Sequence, residues 1–283
     1  MISAWANNAN LVLGQLKVNE KTNEITAIPQ LLEMLELTGC IVTIDAMGCQ
    51  KKIVKKIKES KADYVLALKG NQGTLCENVE QFFQYQRERD YKDYSFSYFK
   101  KSEYDHGRVD VREYWTTSSI KWLEEKKDWK GLTAIGCARL SSTIGDKTTV
   151  YDRYYILSQD MDAESFGKAV RGHWGIENKL HWCLDIAFRE DDSIIRKEAA
   201  PDNFGVIRHI CMNLLKQEKS FKRGIQGKRY RASMDVEYRE KYYSRNYFNA
   251  IAVAFTQLII DIIKTIIVIF IIRGYYAFNY KYK

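Results

Sequence analysis

The spacing of apolar residues follows two periods along the first third of the chain, and each period predicts a different element. ISAWA and LVLGQLKV are rich in β-forming residues, and the Asn-rich residues between them predict a β-hairpin. ITAIPQLLEMLEL repeats its apolar residues at helical spacing and ends before Gly39. CIVTIDAMG and DYVLALKG are apolar runs typical of strands buried on both faces, and the amphipathic QKKIVKKIKESKA lies between them. This order predicts a parallel α/β unit.

Beyond Thr74 the pattern changes. The helical ENVEQFFQYQRER leads into four aromatic and β-branched runs, YSFSYF, VDVREYWTT, TAIGCARL and TTVYDRYYIL, which predict an inserted antiparallel sheet. AESFGKAVRGHWGIENKLHWCLDIAF and NFGVIRHICMNLLKQE then have the spacing of helices. We therefore divide the chain into an α/β part (1–73), a β-rich insertion (74–165), a helical part (166–241) and a tail (242–283).

The tail is dominated by Ile, Tyr, Phe, Asn and Lys and looks aberrant, as read-through sequence would. We expect an appended helix or an aggregation-prone segment. Residues 250–272 are long enough to span a bilayer, but Asp261 and Lys264 within them disfavour that alternative.

Charge and cysteine content narrow the function classes. A formal net charge of +8 favours polyanionic partners, of which nucleic acid is the commonest. The six cysteines form no C-x-x-C pair and no zinc-ligand spacing, which predicts buried thiols in a reducing, cytoplasmic setting. The N-terminal residues lack a basic stretch followed by an apolar run, so we expect no signal peptide.

Asp45 closes an apolar strand, where functional groups of α/β sheets gather. A carboxylate there could bind a metal ion or a ligand. The alternative is that Asp45 caps the following turn, a role in which Asp is favoured.

A second group of polar residues follows helical spacing. His173, Glu177, His181 and Asp185 recur every four residues, which predicts one face of a continuous helix, with Trp174 and Trp182 flanking Glu177. A carboxylate in these surroundings needs a cation or a donor to offset its desolvation.

Three arrangements satisfy the Glu177 carboxylate. The first is an ion pair with Arg171 or Lys179. The second is a zinc site with His173 and His181, which a separation of about 12 Å along a straight helix disfavours. The third is a Mg²⁺ site shared with Asp45, since Mg²⁺ prefers oxygen ligands and two such ions support phosphodiester displacement. The acids near the helix end, Asp185, Glu190, Asp191 and Asp192, are either auxiliary acids or a solvated acidic turn.

Long motifs carry a family resemblance over about residues 1–241. The stretch from EITAIPQLLEML through TIDAMG to LALKGNQ, the segment HGRVDVREYW and the block from RGHWGIENKLHWCLDIAF to NLLK resemble H-repeat-associated insertion-sequence transposases of the IS-four-like DDE group. The resemblance implies an α/β (α+β), RNase H-like mixed sheet with helices and an antiparallel β-rich insertion between the second and third catalytic residues.

The resemblance assigns roles to particular residues. Asp45 matches the second catalytic carboxylate and Glu177 the third, so both are expected to hold Mg²⁺ (or Mn²⁺). The expected activity is cleavage of transposon ends followed by strand transfer into target DNA. The expected partners are DNA and further copies of the chain on DNA, with no small-molecule substrate and no membrane, in the nucleoid of the cytoplasm.

DNA contacts are expected from residues around these acids. His173 stands where many relatives carry Arg, and Leu184 where they carry Lys, so the phosphate contacts of those residues are expected to differ here. Lys69 and Asn71 in LKGNQ suggest a contact to the DNA backbone, with a loop-capping Asn as the alternative. The remaining candidates are Arg171 and the basic-helix residues Lys51 and Lys55, for which a solvated helix face is the alternative.

The resemblance also implies a missing element. Relatives carry a DGK-type motif on a first, central strand that supplies the first catalytic Asp, whereas MISAW matches their second strand. We expect the flanking strands to keep unpaired backbone groups, and the chain to fold poorly or to be inactive. The alternative function is that of a non-catalytic DNA-binding remnant.

Overall fold

The computed structural model describes residues 2–16, 24–243 and 266–271. Its strands are β1 (Ile2–Ala6), β2 (Leu11–Leu16), β3 (Ile41–Ile44), β4 (Asp63–Ala67), β5 (Ser97–Asp105), β6 (Arg108–Thr117), β7 (Ala134–Ile144), β8 (Lys147–Leu157) and β9 (Ile266–Ile271). Its α-helices are α1 (Glu24–Glu33), α2 (Lys51–Glu59), α3 (Thr74–Glu88), α4 (Ala163–Ile176), α5 (Trp182–Phe188), α6 (Ala200–Gln217), α7 (Ile225–Met234) and α8 (Val236–Tyr243).

The described strands form one mixed sheet in the order β2-β1-β9-β3-β4-β8-β7-β6-β5. Strands β1 and β2 form the predicted hairpin, and Asn10 in its turn has the left-handed conformation that Asn tolerates, with a φ of 53°. Strands β3 and β4 are parallel, as the predicted α/β unit requires. The mixed α/β fold class expected from the sequence is therefore confirmed.

Helices cover both faces of this sheet. On one face α1, α2 and α3 pack against Val42 and Ile44 of β3, with Phe83 of α3 among the fully buried side chains. On the other face Phe166 of α4 packs against Tyr155 of β8. Because side chains alternate along a strand, residues 41, 43 and 45 belong to the α4 face. The end of β3 is thus a place where a polar residue can face α4.

The β-rich stretch extends this sheet. Strand β8 pairs antiparallel with β4, and β7, β6 and β5 follow outward as antiparallel neighbours. Arg139 of β7 donates two hydrogen bonds to the Asp152 carboxylate of β8, at 2.7 and 2.9 Å. The insertion and the α/β part therefore share a continuous backbone ladder.

Strand β9, from the C-terminal tail, lies in the middle of the sheet between β1 and β3. It runs antiparallel to β1 and parallel to β3. The expectation that the strands on either side of this position keep unpaired backbone groups is therefore wrong, because β9 pairs with both of them. An appended helix is also wrong for Ile266–Ile271, which is extended.

The rest of the tail, residues 244–265 and 272–283, lies outside the described residues, and with it most of the stretch considered as a membrane span. Within the described ranges, no helix has the length and apolar character needed to cross a membrane.

The helix that carries Glu177 is not continuous. A π-helical segment, Glu177–His181, separates α4 from α5. A π-turn takes up more residues than an α-turn, so the helix is not α-helical throughout. The prediction of one continuous α-helix is therefore wrong, whereas the shared face of His173, Glu177, His181 and Asp185 stays a prediction.

Candidate active site

The site begins at the end of β3, where the strand leaves the sheet. Asp45 is partly buried and keeps an extended backbone, with φ −62° and ψ 170°. Its Oδ1 accepts a hydrogen bond from the Gly48 amide at 3.2 Å, so it caps the short 3₁₀ turn Ala46–Gly48. Capping, one of the two roles considered for Asp45, is thus observed, and it holds the carboxylate at the turn that follows β3.

Helix α4 contacts β3 directly. The Nδ1 atom of His173 lies 3.3 Å from the Oγ1 atom of Thr43, a residue that is 2% exposed and two positions before Asp45. The backbone of Glu177 begins the π-helical segment one turn after His173. The side chain of Glu177 is outside what the structure describes, so its predicted meeting with Asp45 stays a prediction. The contact nevertheless places the two acid-bearing segments side by side, although 130 residues separate His173 from Thr43.

His173 is uncharged at neutral pH. Burial, and then the nearby charge of Arg153, lower the pKa of His173 to about 4. Arg153 is an exposed residue of β8 whose guanidinium carbon lies 4.3 Å from the centre of the Trp174 ring. The cation beside His173 is therefore Arg153 of β8, which the sequence analysis did not predict. The available signal was strand alternation, which puts Arg153 on the same face as the buried Tyr155.

The LKGNQ loop is fastened to the turn that follows Asp45. The side-chain amide of Asn71 donates to the Ala46 carbonyl at 3.1 Å. The Gln72 amide donates to the carbonyls of Ala46 and Cys49, each at 3.0 Å. This geometry favours the loop-capping interpretation of Asn71. Lys69 is exposed at the start of this loop.

The other DNA-contact candidates lie on helix surfaces. Lys51 pairs with Asp128 at 2.8 Å, and Lys55 lies 3.9 Å from Glu59. Both lysines are more than half exposed, so water screens each pair and neither pair contributes much to stability. Helix α2 turns Ile53, Val54 and Ile57 into the core, which favours a solvated helix face for its lysines. Arg171 is half exposed and lies 3.7 Å from Glu103.

The predicted metal site is not complete among the described side chains. They contain no cluster of three His, Cys, Asp or Glu residues able to hold a metal ion. Among the described side chains, Asp45 is the carboxylate at the end of β3. A divalent cation such as Mg²⁺ takes six or more oxygen ligands, several of them from water. The described side chains alone therefore do not complete a Mg²⁺ site, and the side chain of Glu177 lies outside them.

His181 and Asp185 belong to a different neighbourhood from His173. Burial, and then the charge of His181, lower the pKa of His209 on α6 to about 4. Glu190 lies 3.5 Å from Arg208, and Arg189 lies 2.8 Å from Asp192. Two of the acids considered as auxiliary groups, Glu190 and Asp192, thus form ion pairs near the end of α5, and a zinc site joining His173 to His181 has no support among the described residues.

The raised pKa of Asp185, near the acidic turn that follows α5, leads to a testable prediction of how stability depends on pH. Burial, and then the charge of Asp191, raise the pKa of the Asp185 carboxyl to about 6. Stability linked to Asp185 is therefore fully present below its unfolded pKa and is lost as the pH rises through about 6. We expect Asp185→Asn to raise the melting temperature by about 2 °C at pH 8 and to leave it unchanged at pH 3.5. Thermal unfolding of both proteins at the two pH values is the measurement. The exposed Asp192→Asn is the control, and a gain from Asp185→Asn that is equal at both pH values would contradict the expectation.

Comparison with known proteins agrees with this architecture. The model of the transposase DDE domain matches residues 1–214. A protein of Escherichia coli O157:H7 named "Putative transposase YncI" is 43% identical over 246 residues, which are 85% of this chain and 62% of that protein. The "H repeat-associated putative transposase YhhI" of Escherichia coli K12 is 42% identical over 244 residues, 84% of this chain and 64% of that protein.

The chain thus spans slightly less than two thirds of the length of these curated relatives. The family match extends over β1 to α6 and includes both Asp45 and Glu177, and proteins of this family generally use a divalent metal ion. The chain belongs to the DDE transposase family.

Proposed function

We propose that this protein acts in DNA transposition, with Asp45 and Glu177 as its two metal-binding carboxylates and DNA as its partner. The observation that carries the proposal is the 3.3 Å contact between His173 and Thr43. It brings the strand end bearing Asp45 against the helix that leads into Glu177. Carboxylates from two such segments are the oxygen ligands that Mg²⁺ or Mn²⁺ requires in phosphodiester chemistry.

We further propose that this chain binds DNA without cutting it. The described side chains supply one carboxylate at the site, and Glu177 adds a second. Strand β9, the neighbour of β3, has the sequence IIVIFI and carries no acid. Two metal ions aligned for in-line displacement need more carboxylate ligands than these two residues provide.

The cleavage test compares the chain with its Asp45→Asn variant on a supercoiled plasmid that carries the DNA flanking the gene. With Mg²⁺ or Mn²⁺ we expect both proteins to leave the plasmid equally intact on agarose gels. Nicking by the original chain that disappears in Asp45→Asn would overturn the non-cutting proposal and would support catalysis through Asp45. Equal nicking by both proteins would indicate a contaminating nuclease, which a repeat with separately purified protein removes.

DNA binding is expected to depend on two exposed arginines at α4. Arg153 of β8 lies over the ring of Trp174, next to His173, and Arg171 of α4 lies 3.7 Å from Glu103 of β5. We expect the double substitution Arg153→Glu and Arg171→Glu to weaken binding to end-sequence DNA about tenfold or more at low salt. The matched control is Lys147→Glu at the exposed start of β8, next to the turn of the β7–β8 hairpin. Fluorescence anisotropy is the measurement, and equal weakening by the control would place the DNA elsewhere.

A further inference from the structure

Strand β5 forms a long, exposed edge of the sheet. It extends over Ser97–Asp105 and, within the described ranges, pairs with β6 on one side and with no strand on the other. Its side chains from Lys100 to Ser102 are exposed, and the Tyr104 side chain is 76% exposed. An edge of this length offers its outward backbone groups to another strand.

The turn between β5 and β6 determines which backbone groups of β5 point outward. The turn residues His106 and Gly107 both have positive φ, 45° and 76°, as a type I′ turn requires. The residues that flank such a turn, Asp105 and Arg108, form a hydrogen-bonded pair. Because the direction of the backbone groups alternates along an antiparallel strand, the even-numbered residues of β5 direct their N–H and C=O groups away from β6.

The charges of β5 favour one partner, which is a second copy of the same strand. Antiparallel registers that pair most of two β5 strands about a two-fold axis are centred on Lys100, on Lys101 or on Ser102. The first two registers place a lysine directly opposite itself, which is destabilising. The third places Lys101 opposite Glu103 of the second copy, and Lys100 opposite the ring of Tyr104. Lysines on an edge normally oppose pairing, whereas in this register they attract the second copy.

We propose that β5 is a homodimer interface, in which two copies of the strand pair antiparallel about Ser102. The paired residues run from Phe99 to Asp105 in each chain, and the two sheets become one continuous sheet. Hydrogen bonds between the outward backbone groups provide the affinity, as in other strand additions. The Lys101–Glu103 pairs on both sides of the axis fix the register.

The dimer places both α4 surfaces on the same side of the joined sheet, because the two-fold axis is perpendicular to that sheet. Arg171 of α4 lies 3.7 Å from Glu103, so both copies of this arginine lie near the interface. The dimer then offers one surface to each of two DNA segments. This use of the dimer rests on the proposed function, whereas its formation is measured without DNA, so the failure of one proposal is distinguishable from the failure of the other.

Sedimentation velocity of the full-length chain without DNA tests the interface. A strand-edge interface is small, so we expect a reversible dimer at about 100 µM protein that dissociates on dilution. Ser102→Pro removes the outward N–H at the axis and no hydrogen bond to β6, so we expect the dimer Kd to rise about tenfold or more with an unchanged far-ultraviolet circular dichroism spectrum.

Ser102→Ala is the matched control for Ser102→Pro, because alanine keeps the N–H group, and we expect it to dimerise like the original chain. A chain that is monomeric at the highest concentration would overturn the proposal. A dimer that Ser102→Pro leaves intact, or that both substitutions weaken equally, would overturn it as well. If Ser102→Pro alters the fold, the charge variants of Lys101 and Glu103 decide.

A charge exchange tests the register. Lys101→Glu places a carboxylate opposite Glu103 of the second copy, and we expect it to raise the dimer Kd about tenfold. Adding Glu103→Lys restores opposite charges across the axis. Within each chain the exchanged residues then face Arg112 and Asp110 of β6 with opposite charge, so the monomer keeps its fold. We expect the double variant to recover dimerisation, and equal loss in both variants would overturn the register.

A crosslink locates the axis. Ser102→Cys brings two thiols together across the axis, at a separation that a disulfide spans, and we expect a covalent dimer after mild oxidation. Tyr98→Cys, which is exposed but lies outside the paired residues, is the control and is expected to remain uncrosslinked. Peptide mapping of the non-reduced dimer identifies the linked positions. A Ser102→Cys chain that does not crosslink to its own copy at this position would overturn the proposal.

Discussion

Trp5→Ala is expected to lower the free energy of unfolding by about 4 kcal/mol, the loss typical of a buried Trp replaced by Ala. Trp5 of β1 is 0% exposed and packs against the helical layer, with Ile176 at the end of α4 and Met212 of α6 among its neighbours. The Nζ atom of Lys216 also lies 4.4 Å from the centre of its ring. Removing the ring leaves a cavity at the place where the hairpin, α4 and α6 meet.

Trp182→Ala is the matched control for Trp5→Ala, because Trp182 is 60% exposed. We expect it to change the free energy of unfolding by less than about 1 kcal/mol. Urea unfolding followed by far-ultraviolet circular dichroism measures both variants. Equal losses would mean that Trp5 is not buried between these elements.

Gly48→Ala is expected to destabilise the protein by about 3 kcal/mol, the upper part of the range for overpacking in a filled core. A Cβ atom at position 48 would lie 2.2 Å from the Ile44 Cγ2 atom and 3.2 Å from the Ile28 Cδ1 atom. The Gly48 amide is also the donor to the Asp45 carboxylate. Relief of the clash moves the turn and takes Asp45 out of its present position.

Gly70→Ala is the control for Gly48→Ala, since a Cβ atom there meets nothing within 4 Å. We expect a change within about 0.5 kcal/mol. Denaturant unfolding gives the stability difference, and a two-dimensional amide spectrum shows whether the residues around Asp45 shift. A stable Gly48→Ala protein with unshifted resonances would show that the turn has more space than this packing allows.

Sequence patterns predicted the hairpin turn and strand β3 correctly because these elements depend on residues close together in the chain. The Asn-rich turn between β1 and β2 needs a residue that tolerates left-handed backbone, and Asn10 is that residue. The run CIVTID predicts a strand because Val42 and Ile44 face one helix layer while Thr43 faces the other. The acid that ends this run lies where the chain leaves the sheet, as predicted.

The features of the fold and the candidate site that the sequence did not predict depend on contacts between distant parts of the chain. IIVIFI has no alternation that distinguishes a sheet centre from an aggregating tail, and its partners are about 225 and 265 residues away in sequence. The π-helical segment has the same helical apolar spacing as its flanks, so the pattern did not reveal it. Strand alternation gives the face on which Arg153 lies, but its place beside the candidate site depends on the strand order, which no local pattern contains.

The contact between His173 and Thr43 has a consequence for the proposed binding of DNA. An imidazole that takes up a proton only near pH 4 displaces no condensed counterion when a phosphate approaches it. An arginine at the same point would add about 0.9 to the slope of log affinity against log salt. In the proposed DNA complex, the charged side chains of this helix surface, Arg153 and Arg171 among them, would set the dependence of DNA affinity on ionic strength, and His173 contributes to the position of the helix and not to its charge.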